Sequence, residues 1–179
     1  MDYRDRYPTI LKMLSWSIDT FLVIGGTTVL ILIFANAVLR GAAGFDLAWS
    51  LEVTAFLLLW LTFLGCAAAI ARGAHMRVTE IVNYLVAEKL KLPLEVVINL
   101  IIAALLLTMI YHGYNISAHT WAQKTTVLYW PVGFLYASLP VGMTLTLIFH
   151  FYNIRLDLRD GLPRPEVSQD EAHDWEDYE

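Results

Sequence analysis

The chain has 179 residues, of which 58% are apolar and only 16% are charged. An ordinary soluble domain is about one quarter charged, and a disordered chain is poorer in apolar residues than this one. Both classes are therefore excluded. The net charge of −5 leaves no large basic surface of the kind that binds nucleic acid, so we expect no nucleic-acid partner.

Four segments contain no aspartate, glutamate, lysine or arginine, and together they make up 92 of the 179 residues. They are residues 20–39, 53–71, 96–118 and 125–154. A helix needs roughly 20 mostly apolar residues to cross a hydrocarbon core about 30 Å thick. The pattern predicts an all-α membrane protein whose membrane domain, residues 20–154, contains four spans at approximately 20–39, 48–71, 96–118 and 132–154.

Residues 1–19 precede the first span and are predicted to form a cytoplasmic segment. Ile10, Leu11 and Leu14 are spaced as on one face of a weakly amphipathic helix. The first apolar segment resembles the apolar part of a signal peptide. A signal peptide begins with a net positive charge, whereas the acids and bases of residues 1–19 balance each other. We therefore expect this first helix to be retained.

The connection from Arg72 to Glu95 is too long and too regular for a simple turn. Its apolar residues recur at helical spacing, as Val78, Ile81, Val82 and Leu85. This pattern is typical of an amphipathic helix that lies in the membrane interface, and we predict one between spans two and three. Pro93 is then expected to mark the entry to the third span.

Basic residues predict the orientation, because short cytoplasmic connections are enriched in lysine and arginine. The N-terminal segment, the second connection and the C-terminal segment carry ten bases, whereas the first and third connections carry two. We expect both termini to be cytoplasmic. The C-terminal segment, residues 155–179, contains nine acids and three bases and is predicted to be a disordered tail.

Glu52 is the acid that falls inside a predicted span, and its position allows two interpretations. It falls in the first turn of span two, where the helix dipole stabilises an anion, and the short first connection could return Arg40 to its side. A structural Arg40–Glu52 ion pair is the favoured interpretation. The alternative is a proton-coupling carboxylate, which a single membrane acid supports poorly.

Two further features favour packing over chemistry. Gly65 and Ala69, four residues apart in span two, form a small-residue face of the kind that lets helices approach closely in lipid. Trp60, near the middle of the same span, is predicted to be a bulky packing residue or a contact with another subunit.

His112 and His150 raise the possibility of haem, but antiparallel spans should place them at different depths.

Several motifs occur in the order and on the spans expected for one known family. They are Arg40, Trp49-Ser50-Leu51-Glu52, Trp60 with Phe63-Leu64-Gly65, Arg72-Gly73-Ala74-His75-Met76-Arg77-Val78, Leu92-Pro93, Pro131, Tyr136 and Leu139-Pro140-Val141-Gly142. Together they resemble the small membrane subunit, DctQ-like, of tripartite ATP-independent periplasmic (TRAP) transporters. The resemblance covers roughly residues 40–142.

The resemblance implies a multi-pass protein of the bacterial or archaeal inner membrane that is not an enzyme and needs no cofactor. Its implied partners are a large multi-span permease subunit, a periplasmic solute-binding protein and membrane lipids. The implied activity is sodium-coupled uptake of a small organic acid. Arg40, Trp49 and Glu52 would then lie at the periplasmic rim, and Arg72 and His75 at the inner rim, with structural and docking roles.

Two other classes of function stay open on the sequence. One is a haem-bearing membrane anchor of an oxidoreductase, which a Soret absorbance of the purified protein would reveal. The other is a self-sufficient small transporter that uses Glu52 as its coupling group. Against the second, four spans with one membrane acid offer few groups to coordinate both an ion and a solute.

The orientation leads to a direct test with introduced cysteines in a variant that lacks Cys66. Membrane-impermeant thiol reagents should label cysteines at Gly44 and Gln123 from the periplasm, and those at Glu88 and Ser168 only after the membrane is opened. The expectation follows from the distribution of bases. Labelling of the Glu88 position from the periplasm would contradict the orientation.

Overall fold

The computed structural model describes residues 3–73 and 88–160. A short 3-10 turn at Tyr3–Arg6 is followed by helices α1 (Thr9–Ala43), α2 (Ala48–Ala71), α3 (Glu88–His119), α4 (Val132–Tyr136) and α5 (Ser138–Asp160). Within these residues there is no β-strand, and four helical segments are long and apolar enough to cross a membrane. The predicted all-α architecture with four spans is confirmed.

Helix α1 is longer than the sequence pattern predicted. Its 35 residues would extend about 52 Å at 1.5 Å per residue, which exceeds the roughly 30 Å of a hydrocarbon core. The amphipathic stretch around Ile10 and Leu14 is therefore the first part of the same helix as span one and does not form a separate element.

Helix α2 has the bounds predicted for span two, Ala48–Ala71, whereas the helices of spans three and four extend beyond the predicted spans. Helix α3 begins at Glu88, so Pro93 lies inside the helix and does not start it. Helix α5 continues to Asp160, six residues beyond the predicted end of span four. The proposed interfacial helix, with Val78, Ile81, Val82 and Leu85, falls outside the described residues, as does the tail after residue 160.

The long helices pack in the spatial order α1, α2, α5, α3. Helices α2 and α5 form the centre, α1 packs on α2, and α3 packs on α5. Helices α2 and α5 approach closely at Gly142, where an added Cβ would lie 2.5 Å from the Cβ of Phe63. Gly113 of α3 also lies close to α5, because a Cβ there would lie 2.9 Å from the Leu139 side chain.

The core lies where α1, α2 and α5 meet, towards the end of α2. Ala67, Ala71 and Phe149 are completely buried there. Lipid tails are as apolar as these side chains, so close van der Waals contact is the main force that holds such helices together. Small alanines on α2 make this contact possible. Gly65, in contrast, faces open space, so among the described residues it packs against no other helix.

Threonines on the exposed faces of the helices satisfy their own hydroxyl groups. Each donates a hydrogen bond of 2.6–2.9 Å to the carbonyl four residues before it. These residues are Thr20, Thr28, Thr62, Thr108 and Thr144. A hydroxyl in hydrocarbon has no water to bond, so this local bond lets threonine face lipid without another polar partner.

The close approach at Gly142 predicts the effect of a single methyl group. Gly142→Ala should destabilise the full chain by about 1–3 kcal/mol, because the new Cβ would also lie 2.8 Å from the backbone of Phe63. Gly65→Ala, on the facing helix, is the matched control and should be neutral or slightly stabilising. Thermal unfolding in detergent measures both, and equal melting temperatures would contradict the predicted contact.

Candidate partner-binding site

At the outer end of the molecule, defined as the end with the α1–α2 and α3–α4 connections, Glu52 holds a loop. Its Oε1 accepts hydrogen bonds from the Thr126 hydroxyl at 2.9 Å and the Val127 amide at 2.8 Å. Its Oε2 accepts one from the Leu128 amide at 2.9 Å. Both carboxylate oxygens of Glu52 are thus engaged by one short segment of backbone and side chain.

The loop that Glu52 holds is a compact turn closed by its own backbone. Lys124 and Pro131 form an antiparallel bridge, and the Thr125 amide donates to the Trp130 carbonyl at 2.9 Å. Tyr129 adopts a φ of 56°, which is uncommon for a residue with a bulky side chain. The three hydrogen bonds that Glu52 accepts and the Lys124–Pro131 bridge together keep the loop in this conformation.

An aromatic cluster continues from Glu52 along the same face of α2. Phe56 and Trp60 follow Glu52 at intervals of four residues, and their ring centroids are 5.9 Å apart. Phe56 contacts Trp130 at 5.6 Å and Phe134 at 4.9 Å. These distances are typical of favourable aromatic pairs. The cluster, defined as Phe56, Trp60, Trp130 and Phe134, packs the outer loop and α4 onto α2.

The structure corrects the expected Arg40–Glu52 ion pair. Within the described residues, no Arg40 nitrogen lies within 4.0 Å of a Glu52 oxygen. Arg40 is exposed in the last turn of α1, while Glu52 bonds to the α3–α4 loop. The sequence hypothesis was wrong because it assumed that Glu52 contacts the α1–α2 connection, which is nearest along the chain. Helix packing instead brings the α3–α4 connection to the Glu52 carboxylate.

Asn36 organises the connection that Arg40 was expected to close. It is buried in α1, and its Oδ1 accepts a hydrogen bond of 2.9 Å from the amide of Leu47, the residue that precedes α2. Gly44 ends α1 with a φ of 64°, a conformation that glycine adopts without strain. The start of α2 is therefore fixed by a side chain of α1.

At the opposite, inner end, Asp19 joins three elements. Its Oδ2 lies 2.6 Å from Arg4 Nη1 of the 3-10 turn, and its Oδ1 lies 2.5 Å from Arg72 Nη2 at the end of α2. Sequence reasoning placed Arg72 at this rim but did not identify Asp19 as its partner. An acid directly before an uncharged segment was the signal, because such an acid benefits from a nearby cation.

Tyr7 and Asn153 close the inner end of α2. Tyr7 is buried, and its hydroxyl donates to Asn153 Oδ1 at 2.5 Å. The Asn153 amide donates to the Ile70 carbonyl at 2.9 Å. The last carbonyls of a helix lack partners within the helix, so a side chain from α5 satisfies one of them. Sequence analysis did not identify this pair.

The remaining sequence-predicted residues do not converge on one site. Trp49 is exposed in the first turn of α2, Pro131 precedes α4, and Tyr136 ends α4 with its side chain exposed. Pro140 packs against Gly113, where an added Cβ would lie 3.0 Å from Pro140 Cδ. His75 lies outside the described residues. Trp60 is a packing residue of the aromatic cluster.

The two histidines considered as haem ligands lie at different heights. His112 is exposed and adjacent to Gly113, which contacts Leu139 and Pro140. His150 is buried and lies 3.4 Å from the Asn99 carbonyl. The ten residues from Pro140 to His150 correspond to about 15 Å along α5. The two imidazoles therefore cannot ligate one iron from opposite sides.

Comparisons with known proteins give one consistent result. Residues 29–160 match the sequence model of a family described as Tripartite ATP-independent periplasmic transporters, DctQ component. A similar curated protein is the "C4-dicarboxylate TRAP transporter small permease protein DctQ" of Vibrio cholerae serotype O1. It is 27% identical over 172 residues, with 81% of this chain and 72% of the relative covered.

The contacts of Glu52 predict how the outer loop responds when the carboxylate is changed. Glu52→Gln leaves one carbonyl oxygen for two backbone amides, so the Val127 and Leu128 amides should exchange with deuterium several-fold faster. Asp46→Asn, which removes an exposed acid from the first connection, is the matched control and should leave exchange unchanged. Hydrogen exchange with mass spectrometry of the full chain measures the effect.

A second variant, Arg40→Gln, distinguishes the contact between Glu52 and the outer loop from the Arg40–Glu52 ion pair expected from the sequence. In the structure Arg40 makes no ion pair with Glu52, so this variant should leave exchange of the outer loop at the wild-type rate. If Arg40→Gln accelerated exchange as much as Glu52→Gln, the ion pair expected from sequence would be supported and the loop contact would be wrong.

Proposed function

The chain belongs to the DctQ family of TRAP transporter components, and from that premise we propose that this small permease subunit is a fixed membrane support for a large transport subunit. The proposed activity of the whole transporter is sodium-coupled uptake of a small organic acid, delivered by a periplasmic binding protein. The proposed location is the inner membrane, with both termini in the cytoplasm.

One observation is the main argument that this chain has a supporting role. Glu52, the acid that lies inside predicted span two, uses both carboxylate oxygens to hold the outer loop. A carboxylate that couples transport must exchange its ligands between an ion or proton and water. Glu52 instead has the bonding pattern of a structural residue, which argues against the self-sufficient transporter.

The arrangement of helices also supports a fixed role. Transporter sites near the membrane midplane are commonly built from broken helices, whereas α1 and α2 are continuous over 35 and 24 residues. The break between α4 and α5 follows a first segment of only five residues and so lies near the outer end. Hydrogen bonds at both ends of α2 and the aromatic cluster tie α2 to its neighbours. Such a body changes shape little and suits the immobile part of an assembly.

The substrate class is proposed from the relative. The protein of Vibrio cholerae serotype O1 is named for C4-dicarboxylate, so a small organic acid with one or two carboxylates is the first class to test. The membrane-embedded part of the present chain offers few charged groups to bind it. We therefore propose that specificity is determined by the partner subunits.

Reconstitution tests this division of labour. Liposomes should contain this chain alone, the large subunit alone, or both, with the binding protein outside and an inward sodium gradient. Uptake of labelled C4-dicarboxylate is expected only, or overwhelmingly, with both subunits. Gradient-driven uptake by this chain alone would contradict the proposal, and full uptake by the large subunit alone would show that the support is unnecessary.

A further inference from the structure

We propose that the outward side of α3 binds a membrane-spanning helix of the large subunit through His112 and Asn115. The surface, which we call the α3 polar face, consists of Ala104, Thr108, His112 and Asn115. The proposal rests on the proposed function, because it requires a large subunit, and it adds where that subunit binds and by which chemistry.

The α3 polar face points away from the helices on which α3 packs. Leu106, Gly113 and Ser117 share one side of α3 and are buried, and this side packs on α4 and α5. At 3.6 residues per turn, the α3 polar face lies roughly 160–240° around the helix from Leu106. His112 is exposed there and Asn115 is half-buried. The polar side of α3 is therefore the side that this chain leaves uncovered.

His112 lies deep in the hydrocarbon region. It is about 7 Å from the midpoint of the candidate span Val96–His119, at 1.5 Å per residue. Its neighbour Gly113 approaches Pro140, which is also near the middle of its own span. The hydrocarbon core extends about 15 Å to either side of the midplane, so an imidazole at this position does not reach water.

The polar groups of His112 and Asn115 need partners that this chain does not supply. Within the part of the chain that the structure describes, neither side chain makes a hydrogen bond. Thr108 instead satisfies its single hydroxyl on the Ala104 carbonyl at 2.8 Å. An imidazole has two nitrogens and a carboxamide has two N–H groups and an oxygen, so one local bond cannot satisfy either group, and leaving them unpaired in hydrocarbon is costly.

His119 shows how far a local bond can satisfy an imidazole. It follows His112 by seven residues and so lies on the same side of α3, and its Nδ1 is 2.7 Å from the Asn115 carbonyl oxygen. Its Nε2 makes no bond among the described residues, but His119 ends the span, where water is available. The two histidines therefore differ mainly in depth, and the deeper one lacks both a local bond and water.

Chemistry and depth together identify the class of partner. Acyl chains carry no hydrogen-bonding groups, so lipid would leave His112 and Asn115 unpaired. A periplasmic binding protein does not enter the hydrocarbon core. Residues 29–160 match a component of a tripartite transporter family, and the large membrane subunit is the component of such an assembly that reaches this depth.

The composition of the α3 polar face suits contact with a second helix. Ala104 and Thr108 are small and four residues apart, which lets two helices approach closely, and polar side chains in such interfaces bond across the helices. Histidines within membrane spans usually face the interior of a helix bundle. His112 meets this rule when a helix of the large subunit, with a hydroxyl, amide or carboxylate side chain at the same depth, covers α3.

Binding between the two labelled subunits in liposomes tests this contact, with energy transfer measured as the lipid content is raised. His112→Leu and Asn115→Ala should each weaken binding about threefold, the usual effect of one hydrogen bond between membrane helices. His112→Gln keeps hydrogen-bonding groups and should retain most of the affinity. His119→Leu is the matched control and should change little, because water satisfies this imidazole. Equal weakening by His112→Leu and His119→Leu would overturn the proposal.

Thermal unfolding of the isolated chain separates a partner contact from a role in this chain's own fold. His112→Leu removes an unpaired polar group from an uncovered surface, so the melting temperature should stay the same or rise. Gly142→Ala, which changes a packed position, provides the comparison. If His112→Leu lowered the melting temperature as Gly142→Ala does, His112 would support the fold and the proposal would be overturned.

The remaining outcomes separate this inference from the proposed function. Unchanged binding of the large subunit by His112→Leu and Asn115→Ala would overturn the α3 polar face as the contact and leave the support role standing. Absence of binding by the wild-type chain would contradict the support role itself. Energy transfer between two labelled copies of this chain that His112→Leu abolishes would assign the face to a second copy and overturn the proposal.

Discussion

The need to satisfy helix ends close to hydrocarbon governs this structure. The first amides and last carbonyls of a helix have no partner within it, and a bilayer core supplies no water. Here side chains of other elements supply the partners: Asn36 bonds the amide of Leu47 before α2, and Asn153 bonds the carbonyl of Ile70 near its end. One end of α2 is bonded to α1 and the other to α5, so these hydrogen bonds fix the three helices relative to one another.

Glu52 extends the same principle from a helix end to a loop. The amides of Val127 and Leu128 would otherwise be unpaired beside the membrane, and the carboxylate accepts both. The bonds also give a charged residue in a span a purely structural explanation, which weakens the case for ion coupling. Next to Glu52 along α2, the aromatic cluster around Phe56 and Phe134 adds apolar packing to these hydrogen bonds.

The two ends of the molecule differ in a way that suits a stationary subunit. The outer end is held by hydrogen bonds and aromatic packing, whereas the inner end combines ion pairs with a buried tyrosine. Close to the inner end, Ala67, Ala71 and Phe149 pack tightly, while α1 leaves a wide apolar face uncovered. A body that is firmly held inside and broadly exposed outside can contact both lipid and a larger partner without changing shape.

The sequence by itself determined the number of spans, because charge is excluded from hydrocarbon wherever the chain crosses it. Its ordered motifs also identified the family, which a match over residues 29–160 supports. Only the tertiary structure decided which polar side chains meet. Arg40 is near Glu52 along the chain, yet the partners of Glu52 are 74 to 76 residues away, and Asp19 meets Arg72 across 53. Periodicity reports which face of a helix is apolar, whereas these contacts depend on which helices are neighbours, and that is set by close packing at positions such as Gly142 and Ala67.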